Sequence, residues 1–140
     1  MKKILVLPFL FFASFVFSQQ EASNWYFGQN AGIKFNNDGS VTALTDGQLN
    51  TNEGCASLSN SNGDLLFYTD GITIWNKNHQ LMLNGTGLSG HRSSTQAATI
   101  VLLPGSTPLP HESFRVVCEH CYRIAIIEIS TFTFFGKPAT

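Results

Sequence analysis

The sequence predicts an all-β fold built of antiparallel meanders, and three observations carry that expectation. Turn signals recur at short intervals: Asn37-Asp38-Gly39, Asp46-Gly47, Asn62-Gly63, Asp70-Gly71 and Asn84-Gly85. Asn-Gly and Asp-Gly favour tight hairpins because both central residues take positive φ at little cost. Short runs rich in β-branched and aromatic residues fill the intervals. Beyond residue 18, no segment keeps a 3.6-residue apolar period over ten residues.

The elements follow in chain order. Met1 to about Ser18 reads as a secretory signal peptide. Lys2 and Lys3 form a basic start, Ile4 to Phe17 is almost wholly apolar, and Val16 and Ser18 stand at the −3 and −1 positions before Gln19. That apolar run is shorter than the roughly 20 residues a membrane-spanning helix needs. Strands are then expected at Trp25-Tyr26-Phe27, Ile33-Lys34-Phe35 and Val41-Thr42-Ala43-Leu44. Gly54 to Leu83 reads as one meander of four strands: Cys55 to Asn60, Asp64 to Thr69, Ile72 to Asn76, and a short fourth over about Gln80 to Leu83. A further strand is expected over Ala97 to Leu103.

The central hairpin is apolar on both sides. Alternation places Leu65, Phe67 and Thr69 on one face and Leu66 and Tyr68 on the other, with Ile72 and Ile74 opposing Thr73 and Trp75. A sheet with two apolar faces needs cover on both. Four strands in about 30 residues is the size of one propeller blade, and blades stacked on each other supply that cover. The expected architecture is therefore partial β-propeller-like, with a small β-sandwich as the alternative. Trp75, closing the third strand, reads as a packing residue between blades. The domain reading is 1–18 signal peptide, 19–104 propeller-like β region and 105–140 divergent tail. Without the leader 122 residues remain, too few to close a ring of four or more blades.

Several stretches carry a family resemblance. They are Asn24-Trp25-Tyr26-Phe27-Gly28, Ala31 to Phe35, Leu49 to Ser57, and the long run Leu65 to Gln80. Asn84 to Leu88, Gly90-His91 and Ser93 to Gln96 continue it. Together they resemble the N-terminal region of secreted surface proteins of gliding Bacteroidota. The resemblance spans about Gln20 to Pro104. It implies a propeller-like region, cell-surface or released location, and a gliding-motility-associated type IX secretion sorting domain further on. It implies no catalytic residues. The chain departs from the pattern after Leu103, where an aromatic strand of the Tyr-Tyr-Ile-Phe type is usual. Here Ser106-Thr107-Pro108-Leu109-Pro110-His111 follows. The expectation is a frameshift or premature stop near Pro104 to Pro110, with a diverged but real strand pair as the alternative.

Charge excludes one class of partner. Removing Lys2 and Lys3 with the leader leaves six basic residues against nine acidic ones, a formal net charge of −3. There is no basic patch, so nucleic acid is not expected. The three cysteines, Cys55, Cys118 and Cys121, are an odd number and do not make a disulfide scaffold.

The chemical constellations are weak. Cys118-Glu119-His120-Cys121 has CxxC spacing, but a zinc site needs a second ligand pair and only His111 and His120 are near. Haem attachment needs His where Tyr122 stands. Asn60, Asn62 and Asp64 alternate like part of a calcium loop, yet Leu65 falls where that loop needs Gly and Gly71 where it needs Glu. A hairpin turn accounts for them equally. His79, His91 and Glu53 fall in expected loops beside no nucleophile motif, and Ser93-Ser94-Thr95 lacks the Gly-x-Ser-x-Gly elbow. Glu53 is expected to hold backbone donors at a strand start. Asn84-Gly85-Thr86 fits a glycosylation acceptor and is read as chance.

No catalytic, cofactor or metal residue is assigned. The expected function is non-catalytic: the N-terminal fragment of a secreted cell-surface protein, serving adhesion or recognition of an extracellular protein or polysaccharide, with no membrane span after leader cleavage. The alternatives are a fragment of an exported enzyme whose catalytic part is missing, and a non-functional truncated product.

Overall fold

The computed structural model describes residues 20–103, 111–118 and 124–130. Residues 1–19, with the expected signal peptide, and Glu119, His120 and Cys121 of the CxxC motif lie outside the described residues, and the side chains of His111 and Cys118 do also. The described chain is all-β. A 3-10 turn, Gln20–Ala22, leads into β1 (Asn24–Phe27), β2 (Ala31–Phe35) and β3 (Val41–Leu44). Next come β4 (Ala56–Ser59), β5 (Leu65–Thr69) and β6 (Ile74–Asn76), then β7 (Ala98–Leu102), β8 (His111–Cys118) and β9 (Ile124–Ser130). Each consecutive trio forms its own antiparallel sheet, in the orders β1-β2-β3, β4-β5-β6 and β7-β8-β9.

One turn design recurs three times. Asn36 to Ser40, Asn60 to Asp64 and Asn76 to Gln80 each close with the fifth residue's carbonyl accepting from the first residue's N–H at 2.9 Å, and the first residue's carbonyl accepting from the fourth N–H at 2.9 Å. The fourth residue is left-handed in all three: Gly39 at φ 81°, Gly63 at 84°, His79 at 60°. This is a type I turn followed by a bulged left-handed residue, a three-residue hairpin loop. The expectation of paired positive-φ residues is therefore corrected: Asn62 is not left-handed, and only Gly63 is. Asp46-Gly47 is not a hairpin turn at all. Gly47 is where the Tyr26 ring passes, since a Cβ there would sit 2.8 Å from Tyr26 Cδ1.

Two other expectations change. Ile72 and Thr73 belong to the β5–β6 turn, where both backbone N–H groups donate to Asp70 Oδ1 at 2.9 and 2.7 Å. The fourth strand of the meander reduces to a bridge between Trp75 and Leu81, followed by Met82 N–H donating to Ile74 O at 3.0 Å and Ile74 N–H donating to Gly85 O at 2.7 Å. Asn84, left-handed at φ 60°, bends the chain before it can run on as a strand.

The strict alternation expected in β5 is also broken. Ser59 faces Leu65 and Leu58 faces Phe67, so Leu66 is an extra residue. A bulge of this kind puts two successive side chains toward one side. Leu66 joins Phe67 in one core, and Leu65 joins Tyr68 in the other.

Those two cores sit on opposite faces of the middle sheet. On one face Tyr68 packs with Tyr26 and Leu49, with Leu44, Cys55, Leu65 and Trp75 around them. On the other, Phe67 and Ile74 pack with Leu88, Ala98, Phe114 and Val116. Phe67, Tyr68, Thr69 and Ile74 are wholly shielded from solvent. The two-sided apolar hairpin is thus covered on both sides, by the first sheet and the third. Full burial of a large apolar side chain such as Phe67 or Ile74 is worth about 1.5–3 kcal/mol, which makes the middle sheet the energetic centre of the described chain. Phe114 and Val116 of β8 belong to this core, so residues of the segment 105–140 help to build it.

Candidate functional site

Two features of the first and second sheets bring functional groups together. The first is an aromatic stack. Tyr26 lies on Tyr68 with ring centroids 4.4 Å apart, and Tyr68 lies on Trp75 at 5.5 Å, both pairs inclined by 18°. Each tyrosine buries its ring and must find a partner for its hydroxyl. Tyr26 OH donates to Asp46 Oδ1 at 3.0 Å. Asp46 Oδ2 lies 3.1 Å from His79 Nε2. His79 Nδ1 lies 2.9 Å from Tyr68 OH, which accepts from Gln48 N–H at 3.1 Å.

The assignment that uses every donor puts the imidazole proton on Nε2, toward Asp46, and lets Tyr68 donate to Nδ1. Loop 45–49 supplies Asp46 and Gln48, the Asn76 turn supplies His79, and β1 and β5 supply the tyrosines. Burial, then the hydrogen bond and negative charge of Asp46, holds the Tyr26 phenol well above its ordinary range. Burial raises Tyr68 too, against the opposing bond from Gln48 N–H, with the Asp46 charge adding to the rise. These phenols stay protonated. The cluster can anchor a loop to a ring stack, but it does not offer a phenolate nucleophile.

The second feature is a groove of about 410 Å³ bounded by Trp25, Tyr26 and Phe27 of β1 and by Cys55 and Ser57. Three successive β1 residues line it, so it runs along the strand's edge. Ser57 Oγ reaches across to accept from Tyr26 N–H at 2.9 Å, and Asn24 Nδ2 donates to Ser59 Oγ and Gly63 O, both at 2.9 Å. Trp25 is 51% exposed, and its ring is fixed by Nε1 donating to Ala22 O at 2.8 Å and by an edge contact to Phe35 at 5.5 Å. Burial, with the charge of Asp70, raises the Cys55 thiol above its ordinary value, so it is a poor nucleophile at neutral pH.

The residues weighed from sequence are dispersed. Asn60 Oδ1 accepts from the N–H groups of Asn62 and Asp64, both at 2.9 Å, so it closes a turn. His91 Nδ1 accepts from Ser93 N–H at 3.2 Å. Glu53 does not hold backbone donors; its Oε2 accepts from Thr95 Oγ1 at 3.2 Å. Trp75 packs, as its place on Tyr68 shows. Among the described residues no group of three or more His, Cys, Asp or Glu side chains is placed to hold a metal ion, and no helix is long and apolar enough to cross a membrane.

Sequence reasoning found His79 but missed Asp46 and Tyr26 as its neighbours. Asp46-Gly47 resembled a hairpin signal, and nothing local joins residues 26, 46 and 79. Comparison with protein-family profiles, with curated proteins and with solved structures returned no match to this chain.

Proposed function

We propose that this chain is an exported, non-catalytic recognition module, built on propeller-like stacking of small antiparallel sheets and displayed at the cell surface or released. The observation that carries the reading is the middle sheet, apolar on both faces and covered on both by neighbouring meanders. Stacking of that kind makes a rigid support, and rigid β scaffolds present binding loops at the ends of their strands. Loops 45–54 and 90–97 are cross-tied at one end: Thr51 Oγ1 and Asn52 N–H donate to Arg92 O, and Gly54 N–H donates to Ser94 O. An extracellular protein or polysaccharide is the partner class that this reading names, within a surface protein of the gliding and type IX secretion kind.

The test has two arms. Residues 1–18 fused to a reporter that is active only outside the cytoplasm should give signal, and a Lys2→Glu, Lys3→Glu double variant should lower it. The full chain, immobilised, should retain a defined polysaccharide or surface-protein fraction from an array of extracellular polymers. Retention of the reporter in the cytoplasm would end the export reading, and no binding across the array would end the recognition reading.

A further inference from the structure

The two ends of the strands differ in chemistry. Loops 45–54 and 90–97 lead into β4 and β7. At the other end, where β2 and β4 finish, two of the three sister turns flank a cleft. One is the turn from Asn36 to Ser40, the other the turn from Asn60 to Asp64.

The cleft has two lobes. The larger, about 350 Å³, is lined by Gln20, Ala22, Phe35, Asn36 and Asn37. That volume lies at the low end of the range of about 300–1,000 Å³ seen in small-ligand sites. The smaller, about 140 Å³, shares Phe35, Asn36 and Asn37 and adds Lys34, Asn62 and Asp64. The floor is tied across elements. Ser23 N–H donates to Gln20 O at 3.0 Å, and Phe35 N–H donates to Ser23 O at 2.9 Å. Asn24 Nδ2 donates to Gly63 O at 2.9 Å, which joins the first sheet to the second turn. Packing is close there, since a Cβ on Gly63 would sit 3.1 Å from Ser23 Oγ and 3.2 Å from Gln20 Oε1.

Both walls are fixed from within. Asn36 Nδ2 donates to Ser40 Oγ and Thr42 Oγ1, each at 2.9 Å. Asn60 Oδ1 accepts from the N–H groups of Asn62 and Asp64, each at 2.9 Å. Walls already held in place lose little freedom when a ligand binds.

The lining selects a ligand class. Gln20, Asn37 and Asn62 each carry a donor and an acceptor on one amide head, which suits hydroxyl groups that also do both. Lys34 and Asp64 bring opposite charges to the smaller lobe. An anion would meet Asp64 there and a cation would meet Lys34, whereas a neutral hydroxyl can donate to one and accept from the other. Phe35 borders both lobes and is 41% exposed. Its ring meets Trp25 edge to face at 5.5 Å, and Trp25 is held by Nε1 donating to Ala22 O at 2.8 Å. Such rings offer an electron-rich face to the C–H groups of a sugar. Because Trp25 continues the aromatic surface past Phe35, the platform suits a chain of sugar units better than a single one.

We propose that this cleft binds a neutral oligosaccharide segment, with one sugar ring against Phe35, its hydroxyls on Asn37, Asn62, Lys34 and Asp64, and the next unit over Trp25. The inference takes its partner class from the recognition reading above and adds the place of contact, at the opposite end of the strands from loops 45–54 and 90–97.

The probes are cellohexaose, mannohexaose and laminarihexaose, with hexagalacturonate as the charged comparison, titrated calorimetrically into the full chain. Saturable binding of at least one neutral hexasaccharide is expected, with amide shifts at Asn37 and Asn62. Phe35→Ala should weaken it roughly tenfold or more, as removal of an aromatic anchor does. Phe35→Trp, which keeps an aromatic face, should retain it, so loss through misfolding is distinguishable. Asn62→Ala, at an exposed turn position, should weaken it several-fold with the melting temperature unchanged. Binding of hexagalacturonate alone, or of none of the four, would overturn the proposal. Binding that ignores Phe35→Ala and Asn62→Ala would overturn the cleft as well and leave the wider recognition reading standing.

Discussion

His79 stands in a left-handed conformation that Gly39 and Gly63 occupy in the two sister turns. That conformation costs a non-glycine residue about 1–2 kcal/mol. The imidazole offsets the cost by meeting Asp46 and Tyr68 at once. Replacing it with glycine relieves the backbone but leaves the Tyr68 O–H without its acceptor, keeping only the bond from Gln48 N–H, a loss of about 1–3 kcal/mol. His79→Gly is therefore expected to destabilise the fold by about 1 kcal/mol, read from the urea midpoint, although glycine is the better turn residue. The Tyr26 phenol adds a pH dependence. Its proton is held more tightly in the folded chain than in the unfolded one, where the ordinary value is 10.0. The unfolded chain then binds fewer protons above that pH, so stability is fully present below it and falls as pH rises through and beyond it. Tyr26→Phe should flatten that alkaline decline, measured as denaturation midpoints on both sides of pH 10. Neither residue's role was legible locally. Histidine is not a turn signal, and Asp46 resembled one without being one.

Among the elements, legibility depended on how local the cause was. The turns at Asn36, Asn60 and Asn76 are set by residues within five positions; the first two were readable from Asn and Gly, and the third from the gap between strands expected to end at Asn76 and resume at about Gln80. The bulge at Leu66 was not, because it arises from the register between β4 and β5. The runs in β1, β2, β3, β5 and β7 were found within one or two residues, since aromatic and β-branched side chains favour a pleated, half-buried surface. β8 and β9 lie in a stretch that reads as divergent, and their pairing with β7 is a long-range fact. Close backbone packing was equally hidden. A Cβ on Gly90 would meet Gly71 O at 2.3 Å, whereas one on Gly87 would meet nothing within 4 Å. Gly90→Ala is expected to cost about 3 kcal/mol, at the upper end for overpacking. Gly87→Ala, strained only by its φ of 70°, should cost about 1 kcal/mol. Thermal melting of the pair would show the difference.

At the scale of the whole described chain, the composition pointed to the architecture because two apolar faces on one hairpin demand two neighbours. What it did not reveal is how the neighbours meet. Tyr26 with Tyr68, and Phe67 with Phe114, join sheets through rings 42 and 47 positions apart in sequence. Such pairs depend on three-dimensional fit, which a linear pattern of apolar residues leaves open. Within each sheet, by contrast, every hydrogen-bonded neighbour is the next strand along the chain. That feature governs the order in which structure forms. Closing a hairpin between adjacent strands loses little chain entropy, so each meander assembles early and on its own. Docking of one meander on the next then becomes the late step. A chain emerging from its N-terminal end would complete its first sheet before the residues that cover it exist, and Tyr26 would wait, exposed, for Tyr68 to arrive.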